Sequence, residues 1–266
     1  MRKIAVAFLV ILFTTAIYAQ DYFTVIKVSG NIVIERTGSS LDIGTSFAQD
    51  ENLLFKVPES RAAVINPQRG RFLLTSGNSA EFKKSKSNYL PSATKISMRA
   101  AVISPGGNDP KYYFEGDYVI LDEIKIQIDK DTYPLTDKKY LFMTYNFDNK
   151  IINKKLAFKD DTLFINKKDL LIVDGRIIPG PQINLITLMY YSEGEENSPI
   201  RVCSFTPVFP DNNTLSREIG IILDQLEMNP YKDKFNESSA FIKEFYGKVD
   251  ENSLKRWLYD NFRLEP

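Results

Sequence analysis

Residues 61–75 read Arg61-Ala-Ala-Val-Ile-Asn-Pro-Gln-Arg-Gly-Arg-Phe-Leu-Leu-Thr75, and this stretch decides the fold class. Two short apolar runs, Ala62–Ile65 and Phe72–Leu74, flank Asn66-Pro-Gln-Arg-Gly70. Asn, Pro and Gly in that loop are turn formers, so the segment predicts a β-hairpin. The same grammar extends upstream. Phe23–Val28 carries apolar residues at Phe23, Val25, Ile26 and Val28, and Gly30 turns the chain into Ile32–Ile34. Gly38-Ser-Ser marks another turn, and Leu41–Phe47 leads to Leu53–Phe55. Turn signals recurring every ~8–12 residues predict a small all-β roll or barrel over residues 20–90.

The order Val28-x-Gly30-x-Ile32, Gly38-x-x-Leu41-x-x-Gly44, Leu53-x-Phe55 and Ala62-x-Val64-x-x-Pro67-x-x-Gly70-x-Phe72-x-Leu74 resembles the FecR-type β domain. The resemblance covers residues 22–75 and rests on glycine and apolar spacing. It implies an exported or periplasmic β module of the kind that also forms the sensory half of some transmembrane signalling regulators. The signal segment stands first in this sequence, so no cytoplasmic sigma-regulating part is expected. Signalling is not inherited with the fold.

Residues 91–210 predict a second β domain, an immunoglobulin-like sandwich of two antiparallel sheets. Its expected strands are Lys95–Ile103, Tyr118–Ile128, Tyr140–Asn146, Leu156–Ile165, Leu170–Val173, Gln182–Tyr191 and Ile200–Val208. Pro105-Gly-Gly107, Asp148-Asn149, Asp174-Gly175 and Pro179-Gly-Pro181 supply turns between them. Ile124, Ile126 and Ile128 alternate with Lys125 and Gln127, the pattern of a half-buried strand. The pattern then changes to helical spacing in residues 211–266. Leu215, Ile219, Ile222, Leu223 and Leu226 recur behind a Thr214 cap, and Asn229-Pro230 stops that helix. A second helix is expected over Ser238–Tyr246 and a third behind Asp250. One repeat is visible: Arg61-Ala-Ala-Val-Ile-Asn-Pro67 returns as Arg99-Ala-Ala-Val-Ile-Ser-Pro105 without matching flanks, which does not support duplication.

The 266 residues contain 34 basic and 34 acidic side chains, one cysteine and no histidine. A chain without histidine cannot build a Ser-His-Asp triad, a Cys-His pair or a histidine metal site. Cys203 alone cannot form an intramolecular disulfide or a zinc knuckle, and its alternating surroundings predict a buried, inert thiol. Arg2 and Lys3 precede an uncharged run from Ile4 to Tyr18, with Ala19 as the small residue at −1. That is the pattern of a secretory signal over residues 1–19, too short to span a bilayer. Retention as an N-terminal anchor is the alternative. Ile183–Tyr191 is short and interrupted by Asn184 and Thr187, so no transmembrane span is expected after cleavage. The expected location is periplasmic or secreted.

Charge is unevenly placed. Between Arg61 and Arg99 lie Arg61, Arg69, Arg71, Lys83, Lys84, Lys86, Lys95 and Arg99 against the single acid Glu81. This basic patch is a candidate contact for an envelope protein, an anionic cell-wall polymer or lipopolysaccharide, and a solvated linker is the bland alternative. Nucleic acid is not an expected partner outside the cytoplasm. Leu254, Trp257, Leu258 and Phe262 fall on one side of the last helix and form a second candidate contact, with packing onto the sandwich as the alternative. Acidic groups at Asp129-Lys-Asp131, Asp160-Asp161 and Glu193-Gly-Glu195-Glu196 fall at expected turns and lack calcium-loop spacing. Tyr112-Tyr113-Phe114 and Tyr190-Tyr191 suit a sugar floor or, more simply, core pairs.

No catalytic, cofactor-binding or metal-ligating residue is identified, and no cofactor is expected. The sequence predicts an exported, non-enzymatic binding or scaffold protein, an accessory component of a bacterial envelope-associated assembly. The alternatives are a soluble periplasmic sensor or glycan- or ligand-binding protein, and a glycan hydrolase working with carboxylates alone.

Overall fold

A computed structural model describes residues 21–84, 109–194, 198–227 and 233–265. The fold is mostly β with helices concentrated at the C-terminal end. The chain divides into two compact units, residues 1–92 with 224–229 and residues 93–223 with 230–266. The signal segment, the expected strand Lys95–Ile103 and the second copy of the repeat lie outside the described residues.

In the first unit, strands β1 (Tyr22–Ser29), β3 (Ser46–Ala48), β5 (Arg61–Asn66) and β6 (Gly70–Thr75) form a sheet in the order β3-β1-β5-β6. Strands β2 (Ile32–Ile34) and β4 (Leu53–Phe55) pair separately. The predicted hairpin is present: β5 and β6 are antiparallel from Arg61↔Thr75 to Asn66↔Gly70. Asn66 holds the loop, its Oδ1 accepting from Gln68 N at 3.0 Å and Arg69 N at 2.9 Å. Its Nδ2 donates to Tyr22 O at 2.9 Å, which ties the loop to β1. Gly30 (φ +84°) is needed because a Cβ there would sit 2.4 Å from Ser60 Oγ. That hydroxyl is itself committed to Asn31 N. Helix α1 (Ser79–Lys84) lowers Phe82 into a core with Phe23, Phe47 and Phe72, the Phe23–Phe82 centroids lying 4.7 Å apart edge to face.

The second unit has two β layers over one core. The larger sheet runs β10-β9-β15-β16-β7-β17. Its strands are β7 (Asp117–Val119), β9 (Lys139–Phe147), β10 (Lys150–Lys155), β15 (Ile186–Ser192), β16 (Ile200–Val208) and β17 (Lys248–Val249). The smaller sheet joins β8 (Glu123–Gln127), β12 (Thr162–Asn166) and β11 (Ala157–Lys159). Ile124 and Ile126 from the small sheet share one buried cluster with Leu141, Met143, Ile186, Leu188 and Phe205 from the large one. Two-layer packing of this kind is what the alternating strands predict. The pairing is not purely antiparallel, however: β7 lies parallel to both β16 and β17. After β16 the chain runs through helices α4 (Asn212–Glu227) and α5 (Lys234–Phe245) before β17 returns beside β7. A crossover is what parallel neighbours require, and no local sequence pattern announces it.

Several element boundaries differ from those expected. Tyr118–Ile128 and Leu156–Ile165 each divide into two strands, and Leu170–Val173 is helix α3 (Lys167–Leu171) followed by β13 (Ile172–Val173), which pairs with β14 (Arg176–Ile177). Asn166 is the reason for the helix, its side chain accepting from Lys168 N at 2.9 Å as an N-cap. Asp211 rather than Thr214 caps α4, and Asp233 caps α5. Asp250 caps the last helix, α6 (Glu251–Phe262), as expected, with Ser253 N donating to Oδ1 at 2.6 Å. A four-residue helix, α2 (Pro110–Tyr113), brings the Tyr113 hydroxyl to the other Asp250 oxygen. Gly247 (φ +119°) lets β17 approach: a Cβ there would lie 2.3 Å from Asp117 O.

Candidate functional site

The expected basic patch separates into different environments. Arg61 is exposed and Lys83 and Lys84 lie on α1, while Lys86, Lys95 and Arg99 lie outside the described residues. Arg69 and Arg71 are buried. The Arg69 guanidinium sits 5.3 Å from the Phe23 and Phe72 ring centres and donates to Gln49 Oε1 at 2.5 Å. Buried cation–π and amide contacts make Arg69 a strut of the first unit, so it is not available at a flat strip. The apolar face of α6 is likewise covered: Leu254, Trp257 and Leu258 are buried, and Phe262, half-buried, lies edge-on to Trp257 at 5.9 Å.

Aromatic residues divide the same way. Phe114 stacks on Phe205 at 4.6 Å inside the core, and Tyr190 points inward with its hydroxyl donating to Pro134 O at 2.9 Å. Tyr191 lies on the outer face of the large sheet against Tyr140, with centroids 5.2 Å apart. Lys155 Nζ covers that Tyr140 ring at 4.1 Å, so the pair offers no open platform. Cys203 has its thiol pushed up to about 11, by burial first and by the Asp109 carboxylate second, and at neutral pH it stays protonated. Among the described residues, no group of three His, Cys, Asp or Glu side chains is placed to hold a metal ion, and no helix is long and apolar enough to cross a membrane.

One open region is the end of the large sheet around β10; another is a hollow of about 730 Å³ in the first unit beside Tyr22, Arg36 and Glu51. Asp148 and Asn149, both at positive φ, make a two-residue type I′ loop between Phe147 and Lys150. That loop fixes the register, placing Ile151 opposite Asn146, Asn153 opposite Thr144 and Lys155 opposite Phe142. β10 is the outermost strand and pairs only with β9 among the described residues. Its sequence, Lys150-Ile-Ile-Asn-Lys-Lys155, has three lysines and no acid. Ile151 is 71% exposed, in company with Ile177 on β14 at 80% and Ile200 on β16 at 63%. Lys154 donates from below to Ile172 O, and Lys150 approaches Asp174 at 4.0 Å, both in the β13–β14 hairpin.

Beside β10, two open hollows of about 630 and 350 Å³ share Asn146. One is lined by Asn146, Phe147, Asp148, Asn149 and Gln182. The other is bounded by Thr144, Ile151, Asn184, Leu185 and Thr187. Asn149 lies in an expected turn, whereas Gln182 heads the expected strand Gln182–Tyr191; in the structure Gly180–Gln182 is a 3-10 turn and β15 begins only at Ile186, and no motif marks any of the four carboxamides. Their convergence is a product of strand register. No family model, curated protein or solved structure matches this chain.

Proposed function

We propose that this chain is an exported, non-enzymatic scaffold protein of the bacterial envelope, periplasmic or secreted, that engages a partner protein by strand addition at β10. The observation carrying this reading is the outer edge of β10, unpaired among the described residues, six residues long, lysine-rich and bearing an exposed Ile151. An exposed strand edge offers a row of backbone donors and acceptors to a second chain. Pairing with a second copy of β10 would set lysines across from lysines, which is unfavourable. The complementary occupant is an extended acidic segment of another protein, whose alternate side chains would cover Ile151. The FecR-type resemblance of residues 22–75 and the signal-like residues 1–19 support placement outside the cytoplasm.

Site-specific photocross-linking at Asn153, which is exposed on β10, tests this in cells producing the full chain. We expect a discrete adduct with an envelope protein, cross-linked through an acidic extended segment, and its loss on Lys150→Glu/Lys155→Glu. An adduct that survives the charge reversal, or none at Asn153, would sink the strand-addition reading.

A further inference from the structure

The trough beside β10 differs in chemistry from the edge it adjoins. Asn146, Asn149, Gln182 and Asn184 supply four carboxamides, and none makes a side-chain hydrogen bond to another described residue. Each carboxamide presents both donors and acceptors, the same dual capacity as a sugar hydroxyl or acetamido group. Thr144 and Thr187 add hydroxyls, and Thr187 Oγ1 lies 2.8 Å from Ser204 Oγ on the next strand. Ile151 and Leu185, 71% and 53% exposed, form the apolar part of the wall. Among the described residues that line the two hollows, Asp148 is the only charged side chain. An anionic polymer would meet that carboxylate with no cation among those residues to offset it.

We infer that this trough binds a neutral, hydroxyl-rich glycan strand. The carboxamides pair with hydroxyl or acetamido groups, while Ile151 and Leu185 cover the C–H faces of the sugar rings. Because the two hollows are open and both border Asn146, they suit an extended chain better than an enclosed small molecule. The site adjoins the edge proposed for strand addition and shares Ile151 with it, but the glycan would be held by side chains, whereas β10 pairing uses backbone groups at the sheet edge.

The test is an NMR titration of the full chain with two probes, the linear tetramers of β-1,4-linked N-acetylglucosamine and of β-1,4-linked glucose. We expect saturable shifts of the Asn146, Asn149, Gln182 and Asn184 side-chain amides with at least one tetramer. Asn146→Ala/Asn184→Ala should weaken that binding roughly tenfold or more, at about 1 kcal/mol for each lost hydrogen bond. Ile177→Ser, at a position 80% exposed and outside the trough, should leave it unchanged. The other backbone resonances report whether the double variant keeps its fold, and Asn184→Ser replaces it if they move. Three outcomes overturn the inference: no shift with either tetramer at millimolar concentration, shifts centred elsewhere, or a sulfated oligosaccharide that moves the same signals more strongly.

Discussion

Strands β6 and β10 are both six residues long and both end a sheet, yet their outer edges are finished differently. On β6, the Asn78 side chain accepts from Thr75 N and donates to Leu73 O, each at 2.8 Å. One carboxamide thus satisfies two backbone groups that would otherwise face solvent, and Phe82 anchors the helix that follows it. Among the described residues β10 has no such stitch. Its edge carries Lys150, Lys154 and Lys155 instead, and lysine discourages self-pairing without occupying the backbone groups. An edge closed by its own chain cannot accept a strand, whereas one guarded by charge alone rejects like-charged strands and admits acidic ones.

The contrast can be broken most forcefully at Phe82. Phe82→Ala should destabilise the first unit by about 3–5 kcal/mol, since it removes a ring packed on Phe23, Phe47 and Phe72. Urea unfolding measures the loss, and light scattering should reveal association once the α1 anchor over β6 is gone. Asn78→Ala attacks the stitch itself, with an expected loss of about 1–2 kcal/mol. Its specific signature is faster hydrogen exchange at the Thr75 amide, and unchanged exchange there would mean that Asn78 does not close the edge.

On the other side, Lys150→Thr/Lys154→Thr/Lys155→Thr should cost about 1 kcal/mol, from the Lys154–Ile172 hydrogen bond and the Lys155–Tyr140 contact, while making the protein self-associate. Sedimentation velocity reads the outcome, and a variant that remains monomeric would mean the lysines are not the guard. The smallest effect concerns Tyr145, which lies opposite Ile152 of β10 and donates its hydroxyl to Leu170 O. Burial pushes this hydroxyl up to about 12 from 10.0, so the folded state holds the proton more tightly than the unfolded state. Its contribution is complete below pH 10 and is lost as pH rises toward 12. Tyr145→Phe should therefore make the alkaline fall in melting temperature shallower across that interval.

The first unit was legible because its signals are local. Glycines, the Asn66-Pro67 loop and short apolar runs each act over a few residues, and Gly30 and Asn66 occupy the turns that their chemistry suits. In the second unit the alternation of Ile124 and Ile126 marks a face that is buried in the structure, but β10 carries no such mark. Asp148-Asn149 was legible as a turn, and the strand after it was not, because an edge strand of lysines with Ile151 turned outward has no apolar alternation. Leu170–Val173 looked like a strand by its aliphatic content, although Asn166 followed by Asp169 was an available helix-start signal. The parallel placement of β7 between β16 and β17 depends on contacts far apart in sequence. The trough is hidden for the same reason, since Asn146 and Gln182 become neighbours only once the sheet has formed.

The two-residue strand β17 has a consequence for the order in which the protein is made. β7 appears early in synthesis, yet Tyr113 and its partner Asp250 are 137 residues apart in the chain. Until residues 248–250 have been made, one side of β7 lacks its neighbour β17 and Tyr113 lacks the Asp250 carboxylate, so the second unit is completed late. Such delayed closure favours slow, late cooperative folding. It also means that a chain cut after Pro210 loses β17 and α6 along with α4 and α5. Any binding lost by that truncation reports first on an unfinished sheet.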